Sequence, residues 1–187
     1  GTVLTTSEAV AGCARVIVGT QYEMTVVYDD PDLGGAVLRP TQPLAPLAYA
    51  GFSQSAPRLR SDIVVAGFPY DGALGAASLN FGTLQALRGL NGEDMLQRLA
   101  IITEPSEAGA PVLDGTGAVL GMVLPAPTSG RVLPQDISFA LDGDGLAELL
   151  AAAGIAPNPA PEPNQPLSRT ALARYGMDLA VLVTCWN

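Results

Sequence analysis

The stretch SEAGAPVLDGTGAVLGMV, residues 106–123, contains two apolar runs joined by a short polar turn. PVLD and AVLGMVLP flank DGTG at residues 114–117, and an Asp-Gly turn between apolar segments is typical of a β-hairpin. Small residues and a proline in SEAGAPV predict a tight turn just before the hairpin. This part of the chain is therefore predicted to form antiparallel strands that follow a sharp bend.

The composition extends that prediction to the rest of the chain. Its 187 residues include 21 Gly and 16 Pro, and only 5% are aromatic. Short β-branched and aliphatic runs such as ARVIVG, MTVVY and ISFAL recur between turn residues, which predicts an all-β barrel or sandwich. One helical turn is expected in SEAVAGC, capped by Ser7 or Thr6. Longer helices are expected near the end: GLAELLAAA at 145–153, capped by Asp144, and a short helix begun at Ser168. The last apolar strand, LAVLVTCW, is expected to be buried.

Charge and missing residue types exclude several functions. The net charge of −9 argues against binding to nucleic acid or to anionic membranes, and no apolar run of about 18 residues predicts a membrane span. The sequence has no His and no Lys, so it supplies no imidazole base, Schiff-base lysine or Walker lysine. Two cysteines without histidine do not make a zinc site. No cofactor and no metal are predicted.

The acid clusters do not match a Ca²⁺-binding loop. DDPD at 29–32 and DGD at 142–144 carry oxygen ligands, but Leu146 and Ala147 stand where an EF-hand loop needs an acid or amide and then a glycine. The clusters are interpreted as solvated loop acids. A glycosidase-like pair of Glu8 and Asp32 is also disfavoured, because the chain is poor in aromatic residues.

Several stretches, in their order and spacing, resemble those of bacterial trypsin-like peptidases with the chymotrypsin fold. They are GTVLTTSEAVAGCARVIVG, DLGGAVLRP, VVAGFPYDG, LNFGTLQAL, SEAGAPVLDGTGAVLGMV and ISFAL, within residues 1–142. The resemblance implies two packed six-stranded antiparallel β-barrels with a cleft between them. The residue patterns add a short helix after the second barrel and a C-terminal segment that docks back. The predicted segments are a first barrel at 1–55, a second barrel plus helix at 56–156, a Pro-rich linker at 157–167, and a helix-strand segment at 168–187. The first barrel is expected to lack the G-x-G-F-like strand that usually precedes the G-x-V-L-T run.

The same resemblance locates the catalytic triad, and all three positions are changed. In V-L-T-x-A-H-V-V the histidine is replaced by Glu8, and a carboxylic acid, with a reference pKa of about 4.3, is a poor substitute for an imidazole. The aspartate position falls on Gly34, with Asp32 nearby. Ala108 replaces the nucleophilic serine of G-D/N-S-G-G-P-V, while Gly109 is retained.

Ser106 lies two residues before Ala108 and is not expected to replace the nucleophile, because the shift along a tight turn redirects its side chain. Backbone N–H groups at Ala108 and its neighbours can form an oxyanion-type nest that binds an anion or a carbonyl. The chain is therefore interpreted as a pseudoprotease, a non-catalytic trypsin-like domain whose cleft binds an extended peptide or protein. Two alternatives remain: an active serine endopeptidase, and a structural subunit of a larger assembly.

Cys13 and Cys185 lie near opposite ends of the chain. Two readings stay open: a disulfide that ties the C-terminal segment to the first barrel, or two buried thiols. Together with the usual export of the family, the first reading predicts a periplasmic or secreted location.

Overall fold

The computed structural model describes residues 1–127, 134–161 and 165–187. Its strands are short and bounded by turns, as the composition predicts. In chain order they are β1 (Val3–Thr6), β2 (Arg15–Val18), β3 (Tyr22–Asp30), β4 (Gly35–Pro40), β5 (Asp62–Gly67), β6 (Ser78–Ala86), β7 (Leu96–Ala100), β8 (Pro111–Leu113), β9 (Val119–Val123), β10 (Ile137–Asp142) and β11 (Val183–Trp186). The α-helices are α1 (Gly143–Ala152) and α2 (Arg169–Leu179).

Six strands close into an antiparallel barrel in the order β10-β7-β6-β5-β8-β9. The predicted hairpin is present as β8 and β9, which pair across the turn at DGTG. Aliphatic side chains that alternate along these strands fill the barrel, because every second residue points inward. The interior includes Ile63, Val65, Leu84, Leu99 and Val112.

The N-terminal half is an open five-stranded sheet in the order β1-β4-β3-β2-β11. Within the described residues β1 and β11 are its edges, so this half is a half-barrel where the resemblance implied a six-stranded barrel. Its fifth strand comes from the C-terminal end of the sequence and pairs antiparallel with β2. The implied all-β architecture of two packed sheets is thus confirmed, with this difference in strand number and origin.

Strand β4 joins the two halves because both of its faces are buried. Ala36 and Leu38 face the core of the N-terminal sheet, whereas Val37 packs with residues of the barrel and of α1. Gly35 lies so close to Leu149 of α1 that a Cβ there would overlap the leucine side chain. The loop that leads into β4 is therefore held firmly at the junction of the sheet, the barrel and α1.

Helix α1 is capped two residues earlier than the sequence suggested. Asp142 has extended backbone geometry, and its Oδ1 accepts a hydrogen bond from the N–H of Gly145 at 2.9 Å. Asp144, the predicted cap, already lies inside the first turn of the helix and so does not occupy the cap position. The prediction of Asp144 as the cap is wrong for that reason.

The C-terminal segment docks on both halves, as expected, but its strand is not buried. Helix α2 begins after Ser168, whose Oγ accepts from the N–H of Ala171 at 3.2 Å, and it packs on β5 and β6 of the barrel. Strand β11 is an edge strand with one face toward the sheet core, so Trp186 remains 61% exposed. The expectation of a buried strand is wrong, because edge pairing covers only one side of it.

Part of the predicted linker lies against the body of the protein. Phe52 donates its N–H to Asn158 O and accepts from the N–H of Ala160, both at 2.8 Å, and Ala160 is buried. Residues 162–164 lie outside the described residues. The boundaries 1–55, 56–156, 157–167 and 168–187 stay predictions.

Candidate functional site

The first triad-related position follows β1 directly. Thr5, Thr6 and Ser7 are buried, and the N–H of Ser7 donates to the carbonyl of Gly34 at 3.1 Å. The chain then turns into a single 3₁₀ turn, Glu8–Val10, with the Glu8 side chain exposed. Glu8 therefore stands at the surface next to a buried polar strand end.

The second position, Gly34, sits in a turn that a side chain would disturb. Its φ is +75°, in the left-handed region, and its N–H donates to Asp30 O at 2.8 Å. A Cβ at Gly34 would lie 3.2 Å from Cδ2 of Leu124. The exposed Asp32 donates its N–H to Asp30 Oδ1 at 3.1 Å, so its main chain belongs to the same turn.

The third position lies at the end of a second 3₁₀ turn, Pro105–Glu107. The N–H of Ala108 donates to Pro105 O at 3.2 Å, that of Gly109 to Val123 O at 2.8 Å, and that of Ala110 to Glu107 O at 3.0 Å. Gly109 has a φ of +94°, which favours glycine. The N–H groups predicted to form an oxyanion-type nest thus already have partners, and such a nest would require this turn to open.

The three segments meet between the two halves of the molecule. A Cβ at Gly109 would lie 3.1 Å from Oγ1 of Thr5, so the turn that carries Ala108 contacts the end of β1. The Ser7–Gly34 hydrogen bond brings the second segment to the same strand end. Positions far apart in the sequence are thus assembled around the buried threonines of β1.

Comparison with known proteins agrees with this geometry. The family model of the trypsin-like peptidase domain matches residues 1–122. The chain belongs to the trypsin-like peptidase domain family. A curated relative, the uncharacterized protein y4bJ of Sinorhizobium fredii, is 28% identical over 196 residues, which cover 99% of this chain and 30% of that protein. This trypsin-like domain thus spans less than a third of the length of that relative.

Solved structures show the same fold. The Rv3671c protease from Mycobacterium tuberculosis, in its active form, is 25% identical with a TM-score of 0.63, covering 86% of this chain and 72% of that one. A serine endoprotease from Yersinia pestis is 17% identical with a TM-score of 0.65, covering 82% of this chain and 53% of that one. The trypsin-like domain described here therefore shares its two-sheet architecture with serine proteases.

Glu107 is a site residue that sequence reasoning missed. Its carboxylate is 1% exposed and accepts from the N–H of Glu104 at 2.9 Å and from Nδ2 of Asn80 at 3.1 and 3.2 Å. The pKa of Glu107 is raised above its ordinary value, chiefly because burial disfavours the ionised form. The hydrogen bond from the Glu104 N–H lowers the pKa, the charge of Glu104 raises it, and the hydrogen bond from Asn80 lowers it. The only sequence signal is that Glu107 stands three residues after Glu104, as in a capping box. That spacing does not predict that the Glu107 side chain is buried.

Ser106 lies inside the Pro105–Glu107 turn of the trypsin-like domain and is partly exposed. The titratable neighbours along this turn are the carboxyl groups of Glu104 and Glu107, and the sequence contains no histidine. A serine hydroxyl needs an adjacent general base to act as a nucleophile. The surroundings of Ser106 give no support to that role.

Cys13 and Cys185 form a disulfide, with their Cα atoms 5.3 Å apart. The bond connects the loop before β2 to β11 and decides between the two readings of these cysteines. No helix in the described part of the trypsin-like domain is long and apolar enough to cross a membrane.

The acid clusters have local structural roles. Oδ1 of Asp30 accepts from the N–H groups of Asp32 and Leu33, and Asp142 caps α1. Among the described residues, no three His, Cys, Asp or Glu side chains are grouped so that they could hold a metal ion.

Proposed function

We propose that this trypsin-like domain binds an extended polypeptide in its cleft without cleaving it. One observation carries the proposal: Glu8, Gly34 and Ala108 lie in three segments that meet at the buried end of β1, and none of them can perform its part in a triad. Ala108 offers no hydroxyl, Gly34 offers no carboxylate, and no imidazole exists anywhere in the chain.

The backbone around these positions supports the same conclusion. The N–H of Ala108 is bonded to Pro105 O, so it is not free to stabilise an oxyanion. An aspartate at Gly34 would have to adopt a φ of +75° with its Cβ 3.2 Å from Leu124. The loss of chemistry thus extends beyond three side chains to the shape of two turns.

Strand addition to β1 is the binding mode that fits this cleft. The N–H of Ser7 bonds to Gly34 O, and bonded pairs alternate along an antiparallel ladder, so the next bonded pair is Thr5 with Ala36. The N–H and C=O groups of Leu4 therefore point away from β4, to the edge that β1 forms among the described residues, whereas Thr6 is buried beside the Gly109 turn. An extended peptide pairs with such an edge through its main chain, which requires no catalytic group.

Catalysis is tested with a serine-directed fluorophosphonate probe and a library of unstructured peptides. We expect no labelling above that of heat-denatured protein and no peptide cleavage. The matched control is Ser106→Ala. Labelling and turnover that disappear in Ser106→Ala would establish the alternative, an active serine endopeptidase.

Binding is tested by selecting decapeptides from a display library and comparing two variants of one residue. Leu4→Pro removes the N–H that points to the open edge, whereas Leu4→Ala shortens the same side chain and keeps the N–H. The peptides selected should bind Leu4→Pro about tenfold more weakly than Leu4→Ala, the effect of losing roughly one hydrogen bond.

Equal binding to the two variants would show that β1 is not the site. A selection that yields no binding peptide would favour the structural-subunit alternative. Proline is tolerated on edge strands where its nitrogen faces away from the ladder, and Leu4→Ala accounts for the loss of side-chain packing.

The disulfide supports a location in an oxidising compartment, the periplasm or the cell exterior. Cysteine alkylation of protein extracted from its source without reductant tests this: the two cysteines should remain unmodified until a reductant is added.

A further inference from the structure

The outer face of the N-terminal sheet, which strand alternation turns away from the buried Val16, carries the one tryptophan of the sequence. Trp186 on β11 is 61% exposed, and its cross-strand partner on β2 is Arg15. The indole N–H donates to Thr184 Oγ1 at 3.3 Å, and that hydroxyl donates to Ile17 O at 3.3 Å. The polar atom of the ring thus has a partner on the sheet, so the indole offers a ligand its apolar face.

Two adjoining grooves run across this face beside the indole. The larger, about 460 Å³, is lined by Trp186, Ile17, Thr184, Arg15 and the turn 19–21. The smaller, about 140 Å³, continues from Arg15 and Gln21 to Glu23, Pro40 and Gln42. Because they share Arg15 and Gln21, they form one shallow surface site, the outer groove, from β11 to the end of β4. Neighbouring strands lie about 4.8 Å apart, so the four strands β11, β2, β3 and β4 give this groove a length of roughly 14 Å.

The charged groups of the outer groove balance each other. Nε of Arg15 donates to Glu23 Oε1 at 3.1 Å, and the two side chains are 62% and 47% exposed. An ion pair this exposed adds little to stability, and both of its groups stay accessible to a ligand. Gln21 and Gln42, whose amides both donate and accept hydrogen bonds, line the same groove. In a chain with a net charge of −9, the outer groove is thus locally neutral and rich in planar polar groups.

We propose that the outer groove binds a neutral oligosaccharide. A sugar ring has an apolar C–H face, and the hydroxyl groups on its rim both donate and accept hydrogen bonds. The indole face of Trp186 matches the first feature. The glutamine amides and the Arg15–Glu23 pair match the second, because neighbouring hydroxyls bridge the two atoms of a planar amide, carboxylate or guanidinium. The balanced charge favours a neutral ligand over a phosphate or an acidic peptide.

The outer groove is suited to binding a sugar and not to cleaving it. Glycoside hydrolysis needs two carboxyl groups, and among the described residues that line the groove Glu23 is the only acid. The indole end of the groove lies on β11, at the opposite edge of the N-terminal sheet from β1. The inference therefore does not depend on whether β1 binds a peptide or on whether the domain lacks catalytic activity.

The test uses the fluorescence of the full, disulfide-bonded chain, because its one tryptophan lies in the groove. Neutral tetrasaccharides of glucose, N-acetylglucosamine, mannose and xylose are titrated separately up to about 10 mM, which covers weak specific binding. At least one of them should give a saturable change in tryptophan emission and a matching heat of binding by calorimetry. A tetramer of galacturonic acid and an unstructured acidic peptide, at the same concentrations, should give neither.

Variants then locate the site by calorimetry with the tetrasaccharide that binds. Trp186→Ala should bind it about tenfold more weakly than the wild type, whereas Trp186→Phe keeps a ring and should lose less than about threefold. Gln21→Ala, which keeps the tryptophan as a reporter, should bind about fivefold more weakly because one amide is lost. Tyr49→Ala is the matched control: Tyr49 is 63% exposed, lies outside the residues that line the groove, and its removal should leave the affinity unchanged.

The proposal is wrong if no neutral tetrasaccharide changes the emission or gives a heat of binding. It is also wrong if only the galacturonic acid tetramer or the peptide binds, since the groove would then recognise charge or a main chain. Equal affinities of the wild type, Trp186→Ala and Gln21→Ala would mean that the sugar binds elsewhere on the chain. If Trp186→Ala does not fold, the comparison of Gln21→Ala with Tyr49→Ala still decides the location.

Discussion

Glu107 shows how a single buried side chain shapes the candidate site. Its carboxylate receives hydrogen bonds from the Glu104 N–H and from Asn80 across to β6, which hold the Pro105–Glu107 turn against the barrel. A buried carboxylate costs free energy when it is ionised, and these bonds offset only part of that cost. Because the same turn leads to Ala108, the bonds of Glu107 help to keep the Ala108 N–H directed at Pro105 O.

The raised pKa of Glu107 predicts how stability changes with pH. A carboxyl group whose pKa is higher in the folded state contributes its full stability below the unfolded pKa, about 4.3, and loses it as the pH rises through the folded pKa. Glu107→Gln lacks an ionisable group and an acceptor for one bond, so it should be about 1 kcal/mol less stable than the wild type near pH 4. This difference should shrink as the pH rises toward 7, measured by urea unfolding at several pH values.

The control for this prediction is Glu8→Gln, which makes the same substitution at an exposed glutamate. Its difference from the wild type should stay within about 0.5 kcal/mol at every pH. A stability gap for Glu107→Gln that stays constant from pH 4 to 7 would contradict the assigned direction of the pKa shift.

The resemblance to trypsin-like peptidases implied the positions Glu8, Gly34 and Ala108, because each belongs to a motif within a few residues of sequence. It did not predict the burial of Glu107, because the partner of that carboxylate, Asn80, is 27 residues away on another strand. The sequence also did not predict that Leu124 packs against the Gly34 turn. Local patterns place the motifs, whereas the bonds and contacts around them arise from how the strands are brought together.

At the scale of elements, the start of α1 distinguishes Asp142, the observed cap, from Asp144, the cap that the sequence predicted. Asp142 and Asp144 both precede the apolar run of the helix, but only Asp142 has extended geometry and accepts from the Gly145 N–H. Asp142→Ala should lower the free energy of unfolding by about 1 kcal/mol. Asp144→Ala, the matched control, should change it by a few tenths, about the value of one charge near a helix N-terminus. Urea unfolding of both variants checks this, and equal losses would contradict the assignment of the cap.

Strand β11 is the element that sequence patterns describe least well. Its apolar run predicted a strand correctly, yet period-two alternation does not say which sheet a strand joins or whether it lies at an edge. The pairing with β2 connects residues about 170 positions apart, as the disulfide separation of 172 shows. Only the cysteines gave a sequence signal for this contact, and they left two readings open.

At the scale of the whole molecule, one apolar cluster connects the N-terminal sheet and the barrel. Val37 of β4, Leu113 of β8, Met122 of β9 and Leu149 of α1 belong to the same buried core. Because these side chains lose their contacts together, the N-terminal sheet and the barrel should unfold in one cooperative transition despite their separate hydrogen-bonding. The fixed relation between β1 and the Ala108 turn, on which the proposed binding site depends, then rests on this shared core.

Leu149→Ala tests that dependence directly, since Leu149 is fully buried beside Gly35. The truncation should cost about 2–5 kcal/mol and should lower the opening free energies of both halves equally. The measurement is hydrogen exchange at increasing urea, followed in β3 for the sheet and in β6 for the barrel. Leu99→Ala, inside the barrel and away from the shared cluster, should likewise lower both if unfolding is cooperative. A loss confined to β3 in Leu149→Ala and to β6 in Leu99→Ala would mean that the halves unfold separately, and the cleft would then lack the shared support inferred for it.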